Sequence, residues 1–233
     1  IQFHLNLRTM RKLLRSFVLV FGFILASASP VLGQLSGTYT IDANGSGTTN
    51  YTSFTAAVTA LSSNGVNGPV IFNVAAGTYS EQLTVPAITG TSSTNTITFQ
   101  ANPSNTAPAE ITFSPTGTTN NWTIHFNQTN NIIVKGLKIT SGGTTYGRLI
   151  TYTGSSDLKI LDNTLVGAAS GQSTSSYLAA FYYNSTSAYP TGTWVIKGND
   201  ITDVSYGFYI YGNSANNLDT LRIEDNTLAT WYY

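Results

Sequence analysis

Carboxylates are the first groups in this sequence that could do chemistry, and they are few. Ten Asp and Glu residues occur among 233 residues. Asp162 and Asp225 take equivalent positions of a repeated segment, and carboxylates on neighbouring coils could hold a hard cation such as Ca²⁺. Gly198 takes the matching position between them, so we expect the two carboxylates about 10 Å apart, two strand spacings and too far for one ion. We therefore predict that both residues form turns, with no metal site and no cofactor, since no clear motif supports Ca²⁺.

Alternation along predicted strands gives a second set of candidate residues. If Ile124 and Phe181 point inward, their sequence neighbours point outward. This rule places four side chains on one outer surface: His125, Tyr182, Tyr209 and Tyr211. Tyrosine is apolar in its ring and polar at its tip, so such a column could stack against sugar rings and hydrogen-bond their hydroxyls. The alternative is that these residues shield the sheet or lie under loops, because strands favour aromatic residues.

A repeated segment organises the second half of the chain. It reads apolar, any residue, Gly or Asp, usually Asn, any residue, apolar, and it occurs at 134–139, 160–165, 196–201 and 223–228. Repeats of this length are typical of a solenoid. The fourth position is Leu in the first segment and then Asn163, Asn199 and Asn226.

The recurring Asn indicates a particular kind of turn. Asn tolerates the left-handed conformation of a tight bend, and its carboxamide can both donate and accept hydrogen bonds. We predict that Asn163, Asn199 and Asn226 stack as a structural ladder inside a turn. The alternative is that Asn is simply common in a turn-rich chain, although the flanking apolar residues repeat as well.

These repeats favour an all-β fold, a right-handed parallel β-helix. Each repeat also carries an earlier strand that is rich in aromatic or β-branched residues, and the turn-rich stretches leave no room for the paired helices of a helical solenoid. Upstream, Thr52 or Ser53 can cap a short helix with four apolar residues on one face: Phe54, Ala57, Val58 and Leu61. We expect this helix to cover the N-terminal end of the solenoid, where apolar core and unpaired strand groups would otherwise be exposed.

The upstream segments resemble a known family. They read Tyr-x-x-Phe-x-x-Ala-Val at 51–58, Val-Ile-Phe-Asn-Val at 70–74 and Gly-Thr-Tyr-Ser-Glu at 77–81. This order is similar to the opening of pectin methylesterases and other pectin-lyase-like β-helix proteins. The resemblance implies the pectin-lyase-like fold for most of residues 34–233. In that family the last segment is mainly architectural, so Glu81 inherits no catalytic role. The methylesterases carry their catalytic Asp pair, Arg and Gln in later motifs such as Gln-Asp-Thr-Leu and Leu-Gly-Arg-Pro-Trp, which do not occur in this sequence.

The N-terminal residues are typical of a secretory signal peptide. Residues 10–33 combine a basic start, an apolar run at 17–26 and small residues before the predicted cleavage site. A membrane-spanning helix needs about 20 apolar residues, roughly twice the length of this run. We predict that residues 1–9 lie upstream of the true start and that residues 10–33 are removed. The mature protein would then be secreted or held at the cell surface, in contact with a membrane only through the cleaved signal peptide.

Charge and cysteine content exclude other classes of protein. Lys plus Arg number ten, as do Asp plus Glu, but four of the basic residues are Arg8, Arg11, Lys12 and Arg15. Without those four, six basic residues face ten acidic ones, so the mature chain offers no basic stripe for phosphates. We therefore expect no nucleic-acid partner. The chain has no cysteine, which excludes disulfides and thiolate metal sites.

The predicted β-helix domain spans residues 34–233. Its last repeat closes at Leu228, and residues 230–233 read as the start of another aromatic strand. An exposed last coil would pair with other chains, so we expect the β-helix to be truncated at its C-terminus and the full-length protein to be a monomer.

Two functions are compatible with these patterns. The first is a secreted or cell-surface protein that recognises extracellular polysaccharide or cell-surface glycan and could cleave or de-esterify it as a lyase, esterase or glycoside hydrolase. The second is a non-catalytic structural or adhesive surface protein. Catalytic residues stay unassigned, because no Ser-His-Asp grouping, histidine cluster or phosphate-binding glycine loop accompanies His125.

Overall fold

The computed structural model describes residues 33–169, 174–183, 191–211 and 219–231. Within these ranges the chain winds through three sheets, and every pair of neighbouring strands is parallel. The predicted fold, a right-handed parallel β-helix, is confirmed. The predicted signal peptide lies outside the described residues, except for Gly33.

The described strands are numbered in chain order and fall into three sheets. Sheet 1 contains β1 (Leu35–Ile41), β2 (Asn50–Tyr51), β3 (Val66–Val74), β6 (Ile97–Ala101), β9 (Asn130–Lys135), β12 (Ser156–Leu161), β15 (Thr193–Lys197) and β18 (Thr220–Glu224). Sheet 2 contains β4 (Gly77–Ser80), β7 (Ala109–Phe113), β10 (Lys138–Ser141), β13 (Thr164–Val166), β16 (Asp200–Val204) and β19 (Thr227–Trp231). Sheet 3 contains β5 (Leu83–Val85), β8 (Ile124–Asn127), β11 (Ile150–Thr153), β14 (Ala179–Tyr183) and β17 (Tyr206–Ile210). From β3 onward, each circuit takes one strand from sheets 1, 2 and 3 in that order.

The turn from sheet 1 to sheet 2 has the same backbone conformation in four successive circuits. Gly136, Asp162, Gly198 and Asp225 have φ angles of 66°, 54°, 68° and 53°. This left-handed conformation is open to Gly and is tolerated by Asp, whose short polar side chain bonds locally. The alternation of Gly and Asp in the repeat therefore has a backbone cause, and the two Asp residues occupy turns.

Inward-facing side chains of the three sheets fill the interior of the solenoid. Phe72 and Phe99 stack in neighbouring coils with ring centroids 5.0 Å apart, and Phe181 and Phe208 repeat this arrangement at the same distance. Each fully buried side chain of this size contributes about 1.5 to 3 kcal/mol relative to exposure. The core therefore consists of columns of stacked side chains along the axis of the solenoid. Outward-facing side chains at matching positions of successive strands form separate columns on the surface.

The predicted N-terminal helix is confirmed. Helix α1 spans Phe54–Asn64, and the Oγ of Ser53 accepts a hydrogen bond from the Ala56 N–H at 3.0 Å. The carboxylate of Glu81 accepts from the backbone N–H groups of Phe54 at 3.0 Å and Thr55 at 2.8 Å. A carboxylate here satisfies helix donors that lack partners and faces the positive end of the helix dipole. No helix among the described residues is long and apolar enough to cross a membrane.

The prediction that a new aromatic strand starts at Thr230 is wrong. Thr230 and Trp231 belong to β19 of sheet 2, in which Trp231 pairs with Val204, and they do not open a new aromatic strand of sheet 3. The aromatic composition resembles that of the sheet 3 strands, but the register with the preceding coil decides which sheet these residues join.

Candidate functional site

The three predicted ladder residues lie in one column of hydrogen bonds. Asn163 Nδ2 donates to Asn199 Oδ1 at 3.0 Å, and Asn199 Nδ2 donates to Asn226 Oδ1 at 2.8 Å. Each Oδ1 also accepts a backbone N–H of the preceding coil, beginning with that of Leu137 on Asn163 at 2.9 Å. Asn163 and Asn199 are buried, so the column fixes the stacking of coils and does not face a ligand.

The outward positions of sheet 3 form a second column with a different chemistry. The strand register aligns five residues across successive coils: Thr84, His125, Thr151, Tyr182 and Tyr209. We call this column the outer row. It crosses five strands, so its length is about 19 Å, four strand spacings. Sequence alternation placed four of its members outward, including Thr151, and missed Thr84, which carries no distinctive signal. Thr151 is nevertheless buried, and its hydroxyl has no partner among the described residues.

Ring stacking determines which parts of the tyrosines a ligand can reach. The Cζ of Arg148 lies 3.2 Å from the ring centroid of Tyr182. On the Tyr209 side, the two tyrosine rings stack at 5.3 Å with an interplanar angle of 10°. Tyr206 then meets Tyr209 edge-on at 5.4 Å. Both ring faces of Tyr182 are therefore occupied by protein groups, and its edge and hydroxyl are the parts left for a ligand, in contrast to the stacking on sugar rings expected from the sequence.

Arg148 is a candidate site residue that the sequence did not reveal. Its side chain is buried, with 7% of the residue exposed, and its Nε donates to the Ser176 carbonyl at 3.0 Å. All ten Asp and Glu residues of the chain fall within the described ranges, and none of their carboxylates lies within 4.0 Å of this guanidinium. Burial lowers the pKa of Arg148. The available signal was an arginine two residues before Ile150, just ahead of strand β11.

Side chains and backbone groups from three coils hold Arg148 in place. Its backbone N–H donates to Asn121 Oδ1 at 3.1 Å, and Asn121 Nδ2 donates to the Tyr177 carbonyl at 2.9 Å. The Tyr177 ring centroid lies 5.3 Å from the Arg148 Cζ. A guanidinium over aromatic faces is stabilised by the ring quadrupole, which offsets part of the cost of its burial. The positive charge is therefore fixed beside Tyr182 without an anionic partner among the described residues.

His125 contributes an uncharged imidazole to the outer row. Its Nε2 lies 2.9 Å from Thr153 Oγ1, and its ring centroid is 4.7 Å from that of Trp122. Burial lowers the pKa of His125 from 6.5 to about 4. At neutral pH the ring is therefore neutral and acts as a hydrogen-bonding group.

Tyr211 is separate from the outer row. It follows the last residue of β17 and is 67% exposed, and its backbone N–H donates to the Tyr183 carbonyl at 2.9 Å. Among the described residues, it has none of the ring contacts that join Tyr182 and Tyr209. The described residues also contain no group of three or more His, Cys, Asp or Glu side chains that could hold a metal ion.

Comparisons with known proteins give likeness at the level of fold. No protein-family model matches the chain, and no curated protein matches it. The chain is similar to two crystal structures of the pectin methylesterase from Aspergillus niger, one in deglycosylated and one in penultimately deglycosylated form. In each case the identity is 12%, the match covers 84% of this chain and 87% of that chain, and the TM-score is 0.39. The parallel β-helix of this chain is established by its own strand pairing.

Proposed function

We propose that this protein is a secreted or cell-surface β-helix protein that recognises a polysaccharide along the outer row of sheet 3. The observation that carries this proposal is the register of the sheet, which aligns Thr84, a neutral His125 and two tyrosines on one face. Thr151, the middle member of the row, is buried with its hydroxyl and offers no group to a ligand. A face about 19 Å long, to which four of its five strands contribute a side chain that is not fully buried, can contact several units of a linear polymer. A small molecule would bury too little of its surface on such an open face.

The groups on the outer row match the chemistry of sugars. Hydroxyl, phenol and imidazole groups can each donate and accept hydrogen bonds, as sugar hydroxyls do. Each such bond contributes about 1 kcal/mol net, so useful affinity requires several bonds at once. The four members of the row other than the buried Thr151 supply them.

Arg148 favours a polysaccharide with acidic units. Residues 34–233 contain six Lys and Arg against ten Asp and Glu, yet no residue in the described strands of sheet 3 is Asp or Glu. The guanidinium beside Tyr182 is therefore a local positive charge in a segment, residues 34–233, that has more acidic than basic side chains. Guanidinium groups bind carboxylates through two parallel hydrogen bonds, so a uronate is the unit that this position supports best.

Affinity electrophoresis tests the proposal. We expect polygalacturonate in the gel to retard the full chain, and neutral xylan to retard it less. The double variant Tyr182→Phe/Tyr209→Phe keeps the ring stack and removes two hydroxyls, so affinity should fall about tenfold while the melting temperature is unchanged. Tyr39→Phe, in sheet 1, is the matched control and should bind as the wild type does. Unretarded migration in both gels, or a double variant that binds as well as the wild type, would overturn the proposal.

The same preparation distinguishes the two functional classes that the sequence leaves open. Retention on polygalacturonate without release of new reducing ends, unsaturated ends or methanol would assign the protein to the adhesive class. Release of one of these products would assign it to the lyases, hydrolases or esterases and identify which bond is broken.

A further inference from the structure

A groove lies between helix α1 and strand β5, at the end of the outer row. Its volume is about 400 Å³, and small-molecule sites commonly measure about 300 to 1,000 Å³. Five helix residues and four residues of the β5 segment line it: Thr55, Val58, Thr59, Ser62, Ser63, Gln82, Leu83, Thr84 and Pro86. The groove is therefore large enough for a sugar unit.

The lining of the groove is uncharged and amphipathic. Val58, Leu83 and Pro86 supply apolar surface, and the other lining residues carry hydroxyls or a carboxamide. The hydroxyls of Thr59 and Ser62 donate to backbone carbonyls of the helix at 2.7 and 2.8 Å, so their lone pairs are left as acceptors. This combination suits a ring that has C–H faces and hydroxyl edges.

Gln82 lines this groove, and its carboxamide has a fixed orientation. Its Nε2 donates to the carbonyls of Asn120 at 2.6 Å and Trp122 at 3.0 Å, which determines the orientation of the carboxamide. Among the described residues no group donates to its Oε1. A polar group that is already oriented loses little entropy when a ligand binds to it.

The groove and the outer row are continuous. Thr84 lines the groove and is also the first member of the row, where it pairs with His125. Trp122, whose carbonyl orients Gln82, has its ring 4.7 Å from the His125 ring. A polymer that lies on the row can therefore extend into the groove.

We infer that this groove is a subsite for an uncharged sugar unit of the polysaccharide that binds the outer row. The inference rests on the proposed function and adds a second chemical requirement to it. The Glu81 carboxylate, which accepts from the Thr55 hydroxyl at 2.6 Å, stands beside the groove and disfavours an anionic unit. Tyr182 lies three strands away, about 14 Å, so the preferred polymer has its neutral and acidic units separated by that distance.

Titration with neutral disaccharides tests the groove apart from the row. Cellobiose and xylobiose are added to ¹⁵N-labelled full chain, and the chemical shifts of the Gln82 side-chain amide and the Thr84 backbone amide are followed. We expect saturable shifts in the wild type. Thr59→Phe fills the groove from an exposed helix position and should weaken the response at least tenfold. Thr48→Phe makes the same change at an exposed turn position outside the groove and should leave the response unaltered.

Further variants separate failure of the groove from failure of the row. Thr84→Val keeps the shape of the side chain and removes one hydroxyl, so the response should weaken severalfold without a change in folding. Tyr182→Phe/Tyr209→Phe should leave the disaccharide response intact even though it weakens polymer binding. The inference is overturned if neither disaccharide shifts the two reporter amides, or if Thr59→Phe responds as the wild type does. If the chain binds a disaccharide but polygalacturonate does not retard it, the groove is a sugar site and the proposed role of the outer row is wrong.

Discussion

The outward faces of sheets 1 and 3 share the same coils but carry opposite kinds of chemistry. On sheet 1, Lys135 lies 3.9 Å from Asp162, and Lys197 lies 3.5 and 3.3 Å from Glu224 and Asp225. These pairs are substantially exposed, and exposed pairs contribute little to stability. On sheet 3, rings are stacked and half-buried, and the nearby charge is a buried guanidinium without a carboxylate. The difference teaches that the charges of one face are paired in water, whereas the other face holds fixed rings beside an unpaired charge, which is the basis of the proposed binding role.

Two arginines show the contrast most directly. Arg222 donates from Nε to Glu224 Oε1 at 2.7 Å, and this pairing raises the pKa of Arg222 and lowers that of Glu224. Arg148 has its guanidinium over Tyr182 and its pKa lowered by burial. The charge of Arg222 is paired with a carboxylate within the protein, whereas the charge of Arg148 has no carboxylate within 4.0 Å among the described residues.

The largest effect on stability is expected from changes in the asparagine ladder, because the ladder stacks the coils that carry both faces. Asn199→Ala removes the acceptor of two N–H donors of Asn163 in a buried turn, so we expect a loss of about 4 kcal/mol in the free energy of unfolding. Asn226→Ala, at a less buried position, should be milder. Chemical denaturation of the two variants measures both values, and equal melting temperatures for Asn199→Ala and the wild type would show that the ladder does not hold the coils together.

The second largest effect is a pH dependence of stability that arises from His125 on sheet 3. Folding lowers the pKa of His125 from 6.5 to about 4, so the unfolded chain gains a proton in that range and the folded chain does not. Stability is therefore full above pH 6.5 and is lost as the pH falls toward 4. Allowing for partial exposure of the ring, we expect a loss of about 2 kcal/mol that is absent in His125→Gln. The measurement is the free energy of unfolding of both proteins at pH 7 and pH 4. Carboxylates such as Glu224 titrate equally in the two proteins, so their contribution cancels in the comparison. An equal loss of stability in both proteins would contradict the role of His125.

A smaller effect tests the contrast between the arginines through binding. Arg148→Lys keeps the charge but loses the planar, bidentate geometry, so affinity for polygalacturonate at low salt should fall about tenfold. Arg222→Lys is the matched control and should bind normally. The wild-type affinity should also weaken as salt is added, because screening reduces attraction between charges. If both substitutions weaken binding equally, the acidic unit is not recognised at sheet 3.

The smallest effect is expected on sheet 1. The Lys135–Asp162 pair is exposed on both sides, so the double variant Lys135→Gln/Asp162→Asn should change the free energy of unfolding by less than about 1 kcal/mol and leave polysaccharide binding unaltered. Thermal unfolding and affinity electrophoresis measure the two quantities. A loss of binding here would mean that the two faces do not divide their roles as described.

The features that the sequence determined are those that depend on residues only a few positions apart. Alternation along a strand placed His125, Tyr182 and Tyr209 on one face, because side-chain direction in a strand reverses at every residue. The recurring Asn predicted a tight turn with a left-handed residue, but the structure places that conformation one position earlier, at the Gly or Asp before each ladder position. Backbone sterics restrict the left-handed conformation to few residue types, and Gly and Asp are among them. The capping helix followed from Ser53 and four apolar residues in the same way, since each of these signals depends on neighbours within a few positions.

The tertiary structure alone decided which side chains meet across coils. Arg148 reaches Tyr182, Gln82 is oriented by Trp122, and Glu81 binds the start of helix α1 at Thr55. These partners are 26 to 40 residues apart in sequence, and the separation varies with the length of each coil. Local propensity contains no information on that alignment, because the register of one coil on the next is set by the packing of the whole core. The outward direction of the outer row was therefore readable from the sequence, whereas its fixed charge and its neighbouring groove became visible only in the assembled solenoid.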